Sequence, residues 1–211
     1  MPPVPPRDQH NLLVVHSLRW MGFASLERVC EATGLSESDA ESELIDLAVA
    51  GLVEYLRGDF GGWGLTEAGK AADTVRIAAE LDSAGARAAV AEAYKELLEL
   101  HRELLDLCTT WRLRFTESGA IPNDHTDRIY DSRVLGRLAE FNQRADFVCA
   151  DLSRALLRFE RYRARLTNAL TRSNAGDLDY VTGGTFSYHV VWFQLQEDPL
   201  ATLEVPGTEG E

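Results

Sequence analysis

Between residues 10 and 22 apolar side chains recur at Leu12, Val15, Leu18 and Met21, close to the helical period, which predicts a helix with one stripe turned to a core. Ser25 can cap a second helix through Leu26, Val29 and Cys30, which Gly34 ends, because glycine takes the left-handed closing turn without steric cost. After a turn over 33–35, Ser36 caps a third helix, with Asp39 three residues on, and Ala40, Leu44, Leu47, Ala48 and Gly51 form its core face. Residues 53–56 alternate as a strand, 57–62 supply a glycine-containing tip, and 63–65 return as a second strand before Thr66 caps the next helix. The pattern is helix, turn, helix, hairpin.

Beyond residue 71 the chain reads as helices. Over 86–114, Val90, Leu97, Leu104 and Trp111 recur every seven residues, with Tyr94, His101 and Cys108 interleaved, which predicts one long helix with a coiled-coil-like seam. Residues 119–127, holding Pro122, Asn123 and Asp124, read as a loop. A shorter helix over 128–140 leads into a long one carrying Ala145, Val148, Leu152, Phe159, Tyr162 and Leu166, which 174–184 interrupt. Ser187 caps a last helix from 188 to about 203, with Pro199 as a possible kink.

The stretch Gly51-Leu52-Val53-Glu54-Tyr55, followed by Trp63-Gly64-Leu65-Thr66-Glu67-Ala68-Gly69-Lys70, resembles the end of the recognition helix and the wing of MarR-like and PadR-like winged-helix regulators. The resemblance covers about a third of the chain and speaks for fold more than for function. It implies a transcription regulator-like protein that senses a small molecule through its helical domain. The expected fold is mainly α: an N-terminal winged helix-turn-helix with a small β-hairpin, followed by a helical bundle domain. The boundaries read as a disordered lead over 1–9, a winged-helix domain over 10–75, a helical ligand-binding or dimerisation domain over 76–205, and a disordered tail over 206–211. The long seam suits either a bundle or a homodimer interface.

Charge alters what the resemblance implies. The formal net charge is -13, and residues 1–75 hold five basic against twelve acidic side chains. In winged-helix regulators the third helix enters the major groove, and Lys and Arg contacts to phosphate supply most of the affinity. Between Val29 and Leu56 there is no Lys, Arg or His, while Glu31, Glu37, Asp39, Glu41, Glu43, Asp46 and Glu54 are acidic. DNA binding is therefore doubtful, and any that occurs is expected to be weak and steeply salt-dependent. The outer side of that helix mixes acid with Ile45 and Val49, a composition that suits contact with a protein partner. No signal peptide or membrane span is predicted, so the expected location is cytoplasmic. Cys30, Cys108 and Cys149 are too widely spaced for a zinc site or a disulfide framework, and reduced, buried thiols are expected.

Two further patterns bear on chemistry. Arg154, Arg158, Arg161, Arg165 and Arg172 fall on one face of a continuous helix, matched by Glu92, Glu96, Glu99, Glu103 and Asp106 on the long helix, so ion pairing between helices or plain solvation is expected before any anion site. The candidate ligand-binding residues are His101, Trp111, Asp124, His125, Tyr188, His189 and Trp192, with Cys108 and Asn123 beside them. Rings supply area and histidines supply orientation. A partly apolar pocket bordered by Trp111 and Trp192 is expected, with His101 or His189 reaching into it. No HExxH, GxSxG or phosphate-loop motif is present, so no catalytic residue, metal or cofactor is assigned. The competing reading is a winged-helix scaffold recruited as an accessory subunit, docking through Ile45 and Val49, or as a metabolic enzyme whose pocket uses His101, Asp124, His125 or His189.

Overall fold

The computed structural model describes residues 6–58, 61–117 and 119–204. Most of the expected lead, the tail over 206–211 and the middle of the hairpin tip lie outside them. The chain is mainly helical with two small antiparallel hairpins, and it divides into two compact units, residues 1–88 with 197–211, and residues 89–196. The stretch expected as one helical domain over 76–205 is thus shared, its ends lying with the first unit.

The first unit opens with α1 (Pro6–Met21), earlier than the apolar stripe announces, since proline's fixed φ suits a first helical turn. Then come α2 (Leu26–Thr33) and α3 (Glu37–Val49), the strands β1 (Val53–Leu56) and β2 (Gly62–Leu65), and α4 (Glu67–Ala84). The helix starts follow their caps. Ser25 Oγ accepts from the Arg28 amide at 3.3 Å, Ser36 Oγ from the Asp39 amide at 3.2 Å, and Thr66 Oγ1 from the Gly69 amide at 3.0 Å. Gly34 closes α2 in the left-handed region at φ 77°. The hairpin pairs Val53 with Leu65 and Tyr55 with Trp63, whose rings meet edge to face at 5.2 Å. Trp63 also exchanges two backbone hydrogen bonds with Ala24, at 2.8 and 2.9 Å, which ties the hairpin to the segment between α1 and α2. Val14, Val15, Leu18, Val29, Ala40, Leu44, Leu47, Val53 and Leu65 form the core, so helices and hairpin share one apolar centre.

The second unit is built on α5 (Arg87–Arg112), whose seam residues Val90, Leu97, Leu104 and Trp111 are all buried. Of the loop expected at 119–127, residues 123–127 are free of helix and strand, but the first four residues form β4 (Gly119–Pro122), paired with β3 (Leu113–Thr116) where the end of the long helix was expected. The expectation failed because neither strand faces a core, so no buried alternation marks them. The two helices expected after residue 128 are also drawn differently: α6 (Arg128–Ala155) runs unbroken to Leu156, which is extended at φ -142°. A 3-10 turn (Leu157–Phe159) follows, then α7 (Glu160–Asn174), the short α8 (Asp179–Thr182) and α9 (Tyr188–Glu204). The apolar pattern does not mark the break: Leu152, Leu156, Phe159, Tyr162 and Leu166 are buried at steps of three and four, as a continuous helix would also place them.

That break overturns the single arginine stripe. Arg154 ends α6 and pairs with Asp151, whereas Arg172 on α7 binds Asp177 at 2.6 Å. Arg158, Arg161 and Arg165 lie against the rings of Phe159 and Tyr162. On the acidic side, Glu103 pairs with Arg144 of α6 at 2.6 Å and Glu92 with Lys95 of its own helix at 2.9 Å.

Candidate functional site

The first unit holds an open cavity of about 850 Å³. Its apolar walls come from Leu18, Trp20, Phe23, Leu65 and Leu200, and its charged lining from Arg19, Glu54, Glu67, Lys70, Glu197 and Glu204. Both strands of the first hairpin contribute, Glu54 from β1 and Leu65 from β2. Thr66, Lys70 and Thr74 bring in the start of α4, and residues 197–204 bring in the end of α9.

Next to the groove lies a buried ionic cluster that fixes the position of Arg19. His16, within the apolar stripe of α1, is 1% exposed; its Nδ1 is 3.1 Å from Asp73 Oδ1 and its Nε2 is 3.2 Å from Asp198 Oδ1. Each imidazole nitrogen thus faces one carboxylate oxygen, and a nitrogen that carries its proton donates to that oxygen. Thr202 donates to the Asp198 carbonyl oxygen at 2.7 Å and lies 3.3 Å from His16 Nε2. Arg19 reaches from the groove to Asp73 at 3.4 Å and to Thr74 Oγ1 at 3.1 Å. Asp73 and Asp198 are themselves 0% exposed, so each needs its charged neighbour. Neither His16 nor its partners stood out in sequence; the faint signal was a histidine inside an otherwise apolar helical stripe.

The residues singled out from sequence lie in the second unit, in two groups. In the first, Trp192 Nε1 donates to His101 Nδ1 at 3.3 Å, and the ring of Phe193 stands edge-on to both His101 and His189, at 5.6 and 4.8 Å. Phe141 packs on Trp192 and Tyr188, and the Tyr188 hydroxyl donates to Asn142 Oδ1 at 2.9 Å. Burial pushes the Tyr188 phenol well above its usual value. In the second group, His125 stacks on Trp111 with ring centres 4.5 Å apart. The Asn123 amide donates to the Trp111 carbonyl oxygen at 3.0 Å and to Asp131 Oδ1 at 2.8 Å. With both amide hydrogens thus committed, His125 Nδ1, 3.1 Å from Asp131 Oδ2, is the donor of that pair, and its Nε2 is left as the basic nitrogen. His125 takes a left-handed backbone at φ 59°, uncommon outside glycine, and the hydrogen bonds around it hold that turn. Asp124 caps the turn, accepting from Thr126 Oγ1 at 2.8 Å and from the Thr126 amide at 3.1 Å; the hydroxyl bond holds its carboxyl below the usual range.

Trp111 and Trp192 are both buried, each with its own histidine, and the cavity described above is not theirs. His101 and His189 are half-buried. For His189, burial comes first, and the neighbouring Arg112 and His101 next, in lowering its pKa below the usual 6.5. A depressed histidine contributes fully above the unfolded value and loses that contribution as pH falls through its folded value, because the unfolded chain takes up the proton first. The His189 ring is therefore expected to titrate below pH 6.5 in an NMR titration. His189→Gln should flatten the loss of stability on acidification; an unchanged slope would show that another group sets it.

The thiols differ in the same way. Burial pushes Cys108 up to about 11 and Cys149 up to about 12, whereas Cys30 is raised less and stays partly exposed. Since the thiolate is the reacting species, a disulfide reagent at neutral pH is expected to consume Cys30 first, with Cys108 and Cys149 reacting only on unfolding. Immediate reaction of all three would contradict the packing of α5 and α6.

Among the described residues no group of three or more His, Cys, Asp or Glu side chains could hold a metal ion, and no helix is long and apolar enough to cross a membrane. Comparison with family models, with curated proteins and with solved structures found no match for this chain.

Proposed function

We propose that this is a regulator-like winged-helix protein that takes a small molecule into the groove of its first unit. The carrying observation is that one cavity is walled by both strands of the hairpin, by the start of the helix that follows it and by the end of the last helix. A ligand seated there touches the element that would be the wing, so occupancy and wing position are coupled through shared side chains. The sequence reading looked for this ligand in the helical part; the cavity favours the first unit. The acidic α3 supports a role without a strong grip on DNA, since Glu37, Asp39, Glu41 and Asp46 are exposed along it with no basic side chain among them.

The test uses the full-length chain. A fragment library screened by amide NMR should shift residues of β1, β2 and the start of α4, while labelled DNA duplexes should bind weakly and with steep loss as salt rises. Shifts confined to the second unit, or tight sequence-specific DNA binding near physiological salt, would overturn the reading.

A second reading has its own observation. Ile45 and Val49 are 50% and 86% exposed on α3, and they sit among the exposed acids of that helix. The face suits docking on a protein with a basic rim, and a winged-helix scaffold used as an accessory subunit would present it.

A further inference from the structure

The charged side chains of the groove are unequally spent. Lys70 Nζ is held by Glu67 at 2.7 Å, and Arg19 is held by Asp73 and Thr74. Glu54 on β1 and Glu197 and Glu204 on α9 carry no hydrogen bond or ion pair among the described residues. The groove therefore offers three carboxylates without an ion pair, whereas each of its two cations already faces a carboxylate, above walls that include the rings of Trp20 and Phe23. The carboxylates do not converge on one point, since no three acidic side chains of the described residues are close enough to share a metal ion.

Resting on the reading that the groove takes a ligand, we propose that its ligand is a small amphiphilic organic cation, an ammonium or amidinium carried on an apolar body. The rim of acids raises the local concentration of cations and draws the charged end. The indole and phenyl faces attract the same charge through their quadrupoles and cover the apolar end. An anion meets the reverse situation. Each cation it could meet already has a carboxylate beside it, Glu67 on Lys70 and Asp73 on Arg19, and the anion would enter a groove lined by four glutamates.

Three probes of one shape test this: 4-phenylbutylammonium, 4-phenylbutanol and 4-phenylbutyrate, titrated into the full-length protein by calorimetry and located by amide NMR. The ammonium is expected to bind about tenfold or more tightly than the alcohol, to weaken as salt rises from about 50 to about 500 mM, and to shift β2 and the start of α4. The triple variant Glu54→Gln, Glu197→Gln, Glu204→Gln changes exposed side chains only, so it should fold normally and bind the ammonium no better than the alcohol. Equal binding of alcohol and ammonium, or preference for the carboxylate, with shifts still in the groove, would overturn the cation while leaving a ligand groove. Absence of shifts in the groove with all three probes, and with the wider library, would overturn the groove reading together with the inference.

Discussion

Replacement of His16 by alanine is expected to destabilise the first unit by about 3–5 kcal/mol, the usual cost of removing one partner from a buried charge cluster. The ring sits between Asp73 and Asp198, both fully buried, at 3.1 and 3.2 Å. Deleting it leaves the two carboxylates underpaired in a region that water reaches poorly, and the methyl group of alanine cannot fill the space. The effect is large because the penalty is desolvation of what remains, not the modest net worth of an ion pair. Asp73→Asn in the His16→Ala background removes one of the stranded charges and should recover part of the loss, giving a strongly non-additive double-mutant cycle. Urea unfolding of the full chain, with amide exchange on α1 and α4, reads both effects. A His16→Ala protein that unfolds at the native urea midpoint would mean that the cluster contributes no net stability.

How much of this was legible depends on what each residue's neighbours in sequence reveal. The order helix, turn, helix, hairpin could be read because Ser25, Ser36, Thr66 and Gly34 act on backbone groups one to four positions away. The α5 seam was readable for the same reason: Val90, Leu97, Leu104 and Trp111 repeat at a fixed interval and are all buried. The second hairpin was not, since Phe115 and Ile121 are exposed and its strands lack the one-sided pattern that betrays a strand on a core. The groove and its buried cluster were least visible. They bring α1, β1, α4 and the last residues of α9 together, and nothing local to Asp73 or Asp198 marks it as a partner of His16. The expected site places His101 near Trp192, but neither the hydrogen bond between them nor the stacking of His125 on Trp111 has a local sequence signal.

Two glycines in helices are expected to respond to alanine with opposite signs. Taken alone, helix propensity favours Gly→Ala by up to about 1 kcal/mol at either site, because alanine loses less backbone entropy on folding. Gly136, in α6, meets nothing within 4 Å of an added Cβ, so Gly136→Ala should stabilise the chain by about that amount. Gly69, in the first turn of α4, is different: a Cβ there would lie 2.0 Å from the Leu52 carbonyl oxygen and 3.0 Å from its carbon. Backbone cannot swing aside as a side-chain tip can. That same carbonyl oxygen accepts from the Thr66 amide at 3.1 Å and from Thr66 Oγ1 at 3.2 Å, so moving α4 away loosens its cap and its attachment to the end of the α3 segment. Overpacking against fixed atoms costs about 1–3 kcal/mol or more, which exceeds the propensity gain, and Gly69→Ala should therefore destabilise. It should also disturb the groove, because Thr66 and Lys70 flank Gly69 and line the cavity. Chemical denaturation of the two variants side by side is the check. A shift of both midpoints in the same direction would show that the close approach of α4 to Leu52 does not limit this helix start.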